Sequence, residues 1–175
     1  MYYEKAMPDT FCDHILENLN WNEATNAAVH KGGENVQFNE WRKAEIISDS
    51  LMSPLGSIAK NYLIEGNRLG QWTGTICDFD VVQIIRYSVD GHYAWHNDLL
   101  PPKDGKQRAV SFILMLNDPM WFEGGQLQIK DKSDNVLKHQ GDIVVFDSKL
   151  EHRVTPVTRG TRYTAVCWAK TYYEE

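Results

Sequence analysis

With 175 residues, 42% hydrophobic and 24% charged, the sequence has the balance and length of one globular domain with a sizeable core, which argues against a disordered or fibrous chain. The formal net charge is −6 and the lysines and arginines are scattered, so no nucleic-acid partner is expected. The longest apolar run, AVSFILML from Ala109 to Leu116, is too short to span a bilayer, the chain opens without a signal-peptide pattern, and Cys12, Cys77 and Cys167 form no C-x-x-C pair. A soluble cytoplasmic protein with buried thiols is the expectation.

In chain order, FCDHILENL places Phe11, Ile15, Leu16 and Leu19 at helical spacing, with Asp9 or Thr10 as the cap. The stretch HKGGENVQFNEW, His30 to Trp41, is polar and reads as a loop, with Gly32-Gly33 as the hinge of a lid. A second helix is predicted from about Ser53 to Leu69, with Pro54 in its first turn and Leu55, Ile58, Ala59, Tyr62 and Leu63 on one face. From Asp78 the pattern turns to β: FDVVQIIRY, AVSFILMLN, GGQLQIK, DIVVFDS, HRVTPV and TRYTAVCWAK are short runs rich in β-branched and aromatic residues. One domain over residues 1–175 follows, a helical support over about 1–77 and a β core over about 78–170, mainly β with flanking helices (α+β) in a sandwich or jelly roll.

Within HYAWHNDLLP, His96 and Asp98 stand two apart, so an extended backbone sends both side chains to one face. The pair alone is weak, because 6 histidines and 24 acids in 175 positions give about 0.8 such pairs by chance. His152 follows a buried-looking strand and could return to the same sheet. Two imidazoles and one carboxylate on one face of a six-coordinate metal leave three positions open, the arrangement of non-haem Fe(II) oxygen chemistry. Closed structural zinc would need a fourth protein ligand.

Ten residues on is Arg162. A three-residue hairpin loop at Thr158-Arg159-Gly160 would set Val157 opposite Thr161 and aim His152 and Arg162 into one cavity. A guanidinium there can grip a carboxylate through two parallel hydrogen bonds, and a solvated hairpin arginine is the competing reading.

The blocks RYSVDGHYAWHND, LMLNDPMWFEGGQLQI and GDIVVFDSKLEHRVTPVTRGTRYTAVCW resemble, in order, those of iron- and 2-oxoglutarate-dependent dioxygenases of the prolyl 4-hydroxylase superfamily, and the last is especially similar to PKHD-type hydroxylases. The resemblance covers roughly residues 79 to 170 and implies a double-stranded β-helix with Fe(II) held by His96, Asp98 and His152. It also implies Arg162 on the distal carboxylate of 2-oxoglutarate, and Tyr87 on the wall of the cosubstrate pocket. Tyr93 is set aside, because its odd parity relative to His96 places it on the opposite face of a regular strand. Gly124, Gly125 and Gly141 resemble the family's turn glycines. One departure is Met115, where many prolyl hydroxylases carry a cosubstrate-binding tyrosine; either Tyr87 compensates or the cosubstrate is held differently.

The activity implied is hydroxylation of an unactivated C–H bond at the expense of 2-oxoglutarate and dioxygen, with ascorbate as reductant. The preferred substrate is a prolyl residue in a peptide or protein, with a free amino acid or other small molecule as alternative. A metal-binding β-helix without turnover, and a metal-dependent hydrolase or isomerase, are competing classes. Trp41, Trp72 and Trp95 are candidates to stack on substrate.

Overall fold

The computed structural model describes residues 1–31, 34–36, 39–132 and 136–173. Its N-terminal part runs β1 (Tyr2–Tyr3), α1 (Asp9–Glu17), β2 (Thr25–Asn26), β3 (Val29–Lys31), β4 (Glu34–Val36), β5 (Arg42–Lys43), β6 (Glu45–Asp49) and α2 (Pro54–Gly70). The strands β7 (Ile76–Phe79), β8 (Val82–Tyr87), β9 (His92–His96), β10 (Lys106–Met115) and β11 (Phe122–Gly124) follow. The chain closes with β12 (Leu127–Ile129), β13 (Ile143–Asp147), β14 (His152–Val154), β15 (Val157–Gly160) and β16 (Arg162–Tyr172).

These strands build a double-stranded β-helix, mainly β with the two helices outside. The larger sheet has the order β1-β13-β10-β16-β8-β6-β2, with β7 also on β16; the smaller has the order β12-β14-β9-β5. The central strands of the larger sheet are covered on both faces, which is why AVSFILML reads as an almost unbroken apolar run. Val82, Ile84, Phe112, Leu114, Val145 and Ala165 pack outward with Leu55, Ala59 and Leu63 of α2. Their neighbours Ile85, Tyr87, Ile113, Met115, Val166 and Trp168 point inward, toward Leu127 and Val154 of the smaller sheet. Period-two alternation thus builds two cores from the same strands.

The long helix starts where the sequence places it. The Ser53 hydroxyl accepts a hydrogen bond from Gly56 N–H at 2.9 Å and Pro54 occupies the first turn. The first helix differs: Asp9 and Thr10 already lie inside it, and Pro8 holds the N-cap position with no side-chain cap. The reading of 30–41 as loop is also corrected, since β3 and β4 pair there, Val29 opposite Val36. The part read as helical support places β1, β2 and β6 in the larger sheet and β5 in the smaller. Strands of two to five residues carry too little periodicity to be read. Of the predicted lid, Gly32, Gly33, Gln37 and Phe38 lie outside the described residues.

Asp142 fastens the N-terminal strand to the core. Its fully buried carboxylate accepts from Tyr2 Oη at 2.7 Å, Lys5 N–H at 2.9 Å, and the N–H groups of Lys138 and His139 at 2.8 Å each. Burial alone would raise its pKa, but these donors outweigh burial and hold it below the usual carboxylate range. Gly141, at φ +82°, makes the turn that exposes the carboxylate to them. Asp142→Ala strands three backbone N–H groups and should lower unfolding free energy by about 2 to 4 kcal/mol in urea titrations at neutral pH. The native carboxylate's contribution is complete above the unfolded value of about 3.9 and is lost as pH falls through the lower folded value, so the two proteins should converge in acid. A gap that persists undiminished in strong acid would assign the loss to packing.

Candidate active site

His96 ends β9 and His152 opens β14, and the two stand directly opposite in register. Asp98 follows one residue beyond Asn97, its N–H bonded to Ser148 C=O at 3.0 Å. The donor atoms of His96, Asp98 and His152 all lie within 4.8 Å of one another. His96 Nε2 is 3.6 Å from Asp98 Oδ1, and His152 Nε2 is 3.6 Å from Asp98 Oδ2. All three are more than nine-tenths buried at the side chain.

Backbone carbonyls fix both rings. His96 Nδ1 lies 2.7 Å from Ala94 C=O and His152 Nδ1 lies 2.9 Å from Leu150 C=O. Each contact needs a proton on Nδ1, which leaves Nε2 with a free lone pair aimed at the shared centre. Burial, reinforced by the neighbouring His152, pulls the His96 pKa far below its ordinary value, so the ring is neutral and ready to ligate. Burial would raise Asp98, yet His152, His96, the Ser111 hydroxyl and the Trp168 indole together hold it ionised. Ser111 donates to Asp98 Oδ2 at 2.6 Å and lies 2.8 Å from Ser148 Oγ. Two imidazoles and one carboxylate could hold a divalent metal with positions left open, and the surrounding hydrogen bonds orient all three.

Arg162 opens β16 opposite Tyr87 of β8 and is 1% exposed. Its Nη1 reaches Thr164 Oγ1 at 3.4 Å, and the guanidinium stands 5.3 Å from the Tyr87 ring centroid. Nε and Nη2, which form one edge of the fork, have no partner among the described residues. Burial lowers the Arg162 pKa to about 10, and the ion stays charged at neutral pH. A buried cation with an open two-donor edge is the complement of a carboxylate. His96, Asp98, His152, Tyr87 and Arg162 line one cavity.

Two expectations about this cavity are corrected. No hairpin forms at Thr158-Arg159-Gly160; these residues belong to β15, which pairs with β11, Glu123 opposite Arg159. His152 and Arg162 meet instead because β14 lies in the smaller sheet and β16 in the larger. Gly125 assists, since at φ +59° its missing Cβ leaves room for Arg162 Cδ, which a side chain would meet at 2.9 Å. Tyr93, set aside on parity, lines the cavity and stacks on His96 with ring centroids 3.4 Å apart. A β-bulge explains it: His152 opposes His96 but Val154 opposes Tyr93, so β9 carries one extra residue and the alternation slips.

Arg42, Ser111, Thr164 and Trp168 also reach the site and were not singled out from sequence. Ser111 had a signal, the one hydroxyl inside an apolar run. Trp41, Trp72 and Trp95 line neither this cavity nor the one beside it. Cys12 and Cys167 are buried and Cys77 is half-buried, all as free thiols. Among the described residues no helix is long and apolar enough to cross a membrane.

The family model described as the 2OG-Fe(II) oxygenase superfamily matches residues 82–170. The chain belongs to this superfamily. The members it resembles in sequence include a PKHD-type hydroxylase of Pseudomonas putida strain W619, 35% identical over 96 residues that make up 51% of this chain and 42% of the relative. Another is a PKHD-type hydroxylase of Nitrosomonas europaea, 35% identical over 147 residues, 79% of this chain and 60% of the relative. The oxygenase chain therefore spans about half the length of such relatives. Among solved structures, a Trichoplax adhaerens prolyl hydroxylase in complex with a hypoxia inducible factor peptide fragment shares the fold at TM-score 0.75 and 20% identity, covering 97% of this chain and 82% of that one. A Pseudomonas putida prolyl-4-hydroxylase does so at TM-score 0.69 and 21% identity, covering 100% and 92%.

Proposed function

We propose that this oxygenase hydroxylates an unactivated C–H bond, with a prolyl residue of a peptide or protein as substrate, and that His96, Asp98 and His152 hold its Fe(II). The observation that carries the reading is the three-donor cluster and the open edge of Arg162 in one buried cavity. Iron bound there supplies dioxygen activation coupled to oxidative decarboxylation of 2-oxoglutarate. The rest falls to the chain. Arg162 and Thr164 receive the distal carboxylate of 2-oxoglutarate, with Tyr87 beside them, which offers an answer to the methionine at position 115. Ser111 and Trp168 hold the Asp98 carboxylate in its ligating orientation. The apolar wall of Ile85, Ile113, Leu127 and Val166 excludes water from the reacting centre.

Asp98 in the carboxylate position supports hydroxylation over halogenation, which requires that position for halide. Free thiols support a reducing, intracellular setting, and ascorbate is the reductant we assign. Purified protein given Fe(II), 2-oxoglutarate, ascorbate and proline-containing peptides should release succinate and add one oxygen atom, read by mass spectrometry. Fe(II) binding with no succinate under any substrate would leave a binding module.

A further inference from the structure

A second cavity, of about 300 Å³, lies against the first. Arg42, Tyr93, Asp98 and Trp168 line both, so they form the partition between them. The inner side carries Arg162. The outer side carries Ser48, Gln83 and Arg108, a polar lining with two arginines.

Arg42 is the unexplained group. It sits on β5 directly across from Tyr93, whose ring centroid is 4.5 Å from the guanidinium, and it is 8% exposed. Nη1 donates to Ala28 C=O at 3.2 Å, while Nε has no partner. Among the described residues no carboxylate lies within ion-pair distance of it. The other charges of the cavity are already matched. Arg108 Nε donates to Asp80 at 2.6 Å, and Asp98 is engaged by Ser111 and the two histidines. Gln83 adds a buried side-chain oxygen, likewise unpartnered. A buried cation without a counter-ion is costly, and a neutral carbonyl would satisfy its N–H groups but not its charge.

We propose that the outer cavity is the substrate site and that Arg42 receives a carboxylate of the substrate there. The assignment rests on the oxygenase reading only for the identity of the inner cavity. The carboxylate could belong to a free acid or chain terminus, or to an acidic side chain beside the reacting residue. Both present the same charge to Arg42.

Matched acid and amide probes separate these cases. N-acetyl-L-proline against N-acetyl-L-prolinamide tests the terminal carboxylate, N-acetyl-L-prolyl-L-aspartic acid amidated at the α-carboxyl alone against N-acetyl-L-prolyl-L-asparagine amide tests the side chain, and N-acetylglycine against its amide removes proline altogether. Binding is measured by calorimetry on protein loaded with Ni(II) and 2-oxoglutarate, which blocks turnover. In at least one pair the acid should bind about ten- to one-hundred-fold tighter than the amide, the scale of a hydrogen bond to a charged group. The pair that shows it identifies the source. Arg42→Gln should reduce the difference to within about two-fold, and Arg42→Lys should keep part of it. If Arg42→Gln does not fold, Gln83→Glu supplies the missing counter-ion from inside the cavity and should abolish the preference as well. Equal binding of acid and amide in every pair, failure of all probes to bind, or a preference that survives both variants overturns the proposal. Loss of 2-oxoglutarate affinity in Arg42→Gln, with no change in the acid preference, also overturns it by moving Arg42 to the cosubstrate. Failure of the oxygenase reading is a different result: absent metal binding and absent succinate, whatever the probes do.

Discussion

Arg162→Ala is expected to weaken 2-oxoglutarate binding by roughly thirty-fold to several thousand-fold, the ~2 to 5 kcal/mol lost when one partner of a buried hydrogen-bonded charge pair is removed. The guanidinium is 1% exposed and presents Nε and Nη2 without partners, so the ligand carboxylate it would meet has no substitute donor of that geometry. Lysine at this position restores the charge but not the two-pronged edge, and should recover only part of the affinity. Arg159→Ala is the control. Arg159 lies three residues away on the exposed β15 and pairs with Glu123 in solvent, so its loss should leave 2-oxoglutarate binding unchanged. Titration of 2-oxoglutarate into Ni(II)-loaded protein measures all three variants, and a large loss in Arg159→Ala with none in Arg162→Ala would refute the assignment. A second readout follows from burial without a counter-ion. In the absence of 2-oxoglutarate, Arg162→Met should unfold at the same or a higher urea concentration than the native protein, because an uncompensated buried charge has been exchanged for an apolar side chain.

His152→Ala should abolish stoichiometric Fe(II) binding in a protein that still folds, and succinate formation with it, since the remaining imidazole and carboxylate cannot complete the three-point face. Ser111→Ala gives a graded counterpart. The Ser111 hydroxyl touches Asp98 rather than the metal position, and loss of such a supporting hydrogen bond weakens metal affinity by about ten- to one-hundred-fold. Equilibrium dialysis against Fe(II) under nitrogen ranks the variants. Full iron occupancy and normal turnover in His152→Ala would remove His152 from the metal and with it the reaction assigned above.

How far this was legible depends on the range over which each feature is decided. Helix α2 was readable because its start is set by Ser53 and Pro54 and its buried face by residues three and four apart. The strands β10, β13 and β16 were readable because both faces are covered and the apolar run is long. The ordered blocks around His96, His152 and Arg162 were enough to expect a jelly roll, and the structure brings those residues into one cavity with Tyr87 and Asp98. What failed was geometry that needs the partner strand. The hairpin at Thr158-Arg159-Gly160 was inferred from adjacent residues, whereas β15 leaves for β11 and the convergence of His152 with Arg162 is made between two sheets. Arg42 sits on a two-residue strand in a segment read as helical support, and only the pairing of β5 with β9 shows that it is buried. Tyr93 was misplaced by a single residue, since parity counts assume a regular strand and the bulge becomes visible only when β9 is laid against β14.

That bulge has a consequence for how the chain can vary. Side-chain alternation along a strand is a phase, and one extra residue inverts it: Tyr93 and His96 face the same compartment only because β9 is one residue longer than its partner over that interval. Substitution of Ala94 or Trp95 keeps the count and therefore the partition. Deletion of either would remove the bulge and leave Tyr93 two residues from His96, on the same face by ordinary alternation, whereas one further residue inserted beside the bulge would turn Tyr93 off His96 and away from Arg42. The bulge thus absorbs a residue of length that would otherwise turn Tyr93 out of the cavity, and the partition between the two cavities depends on it.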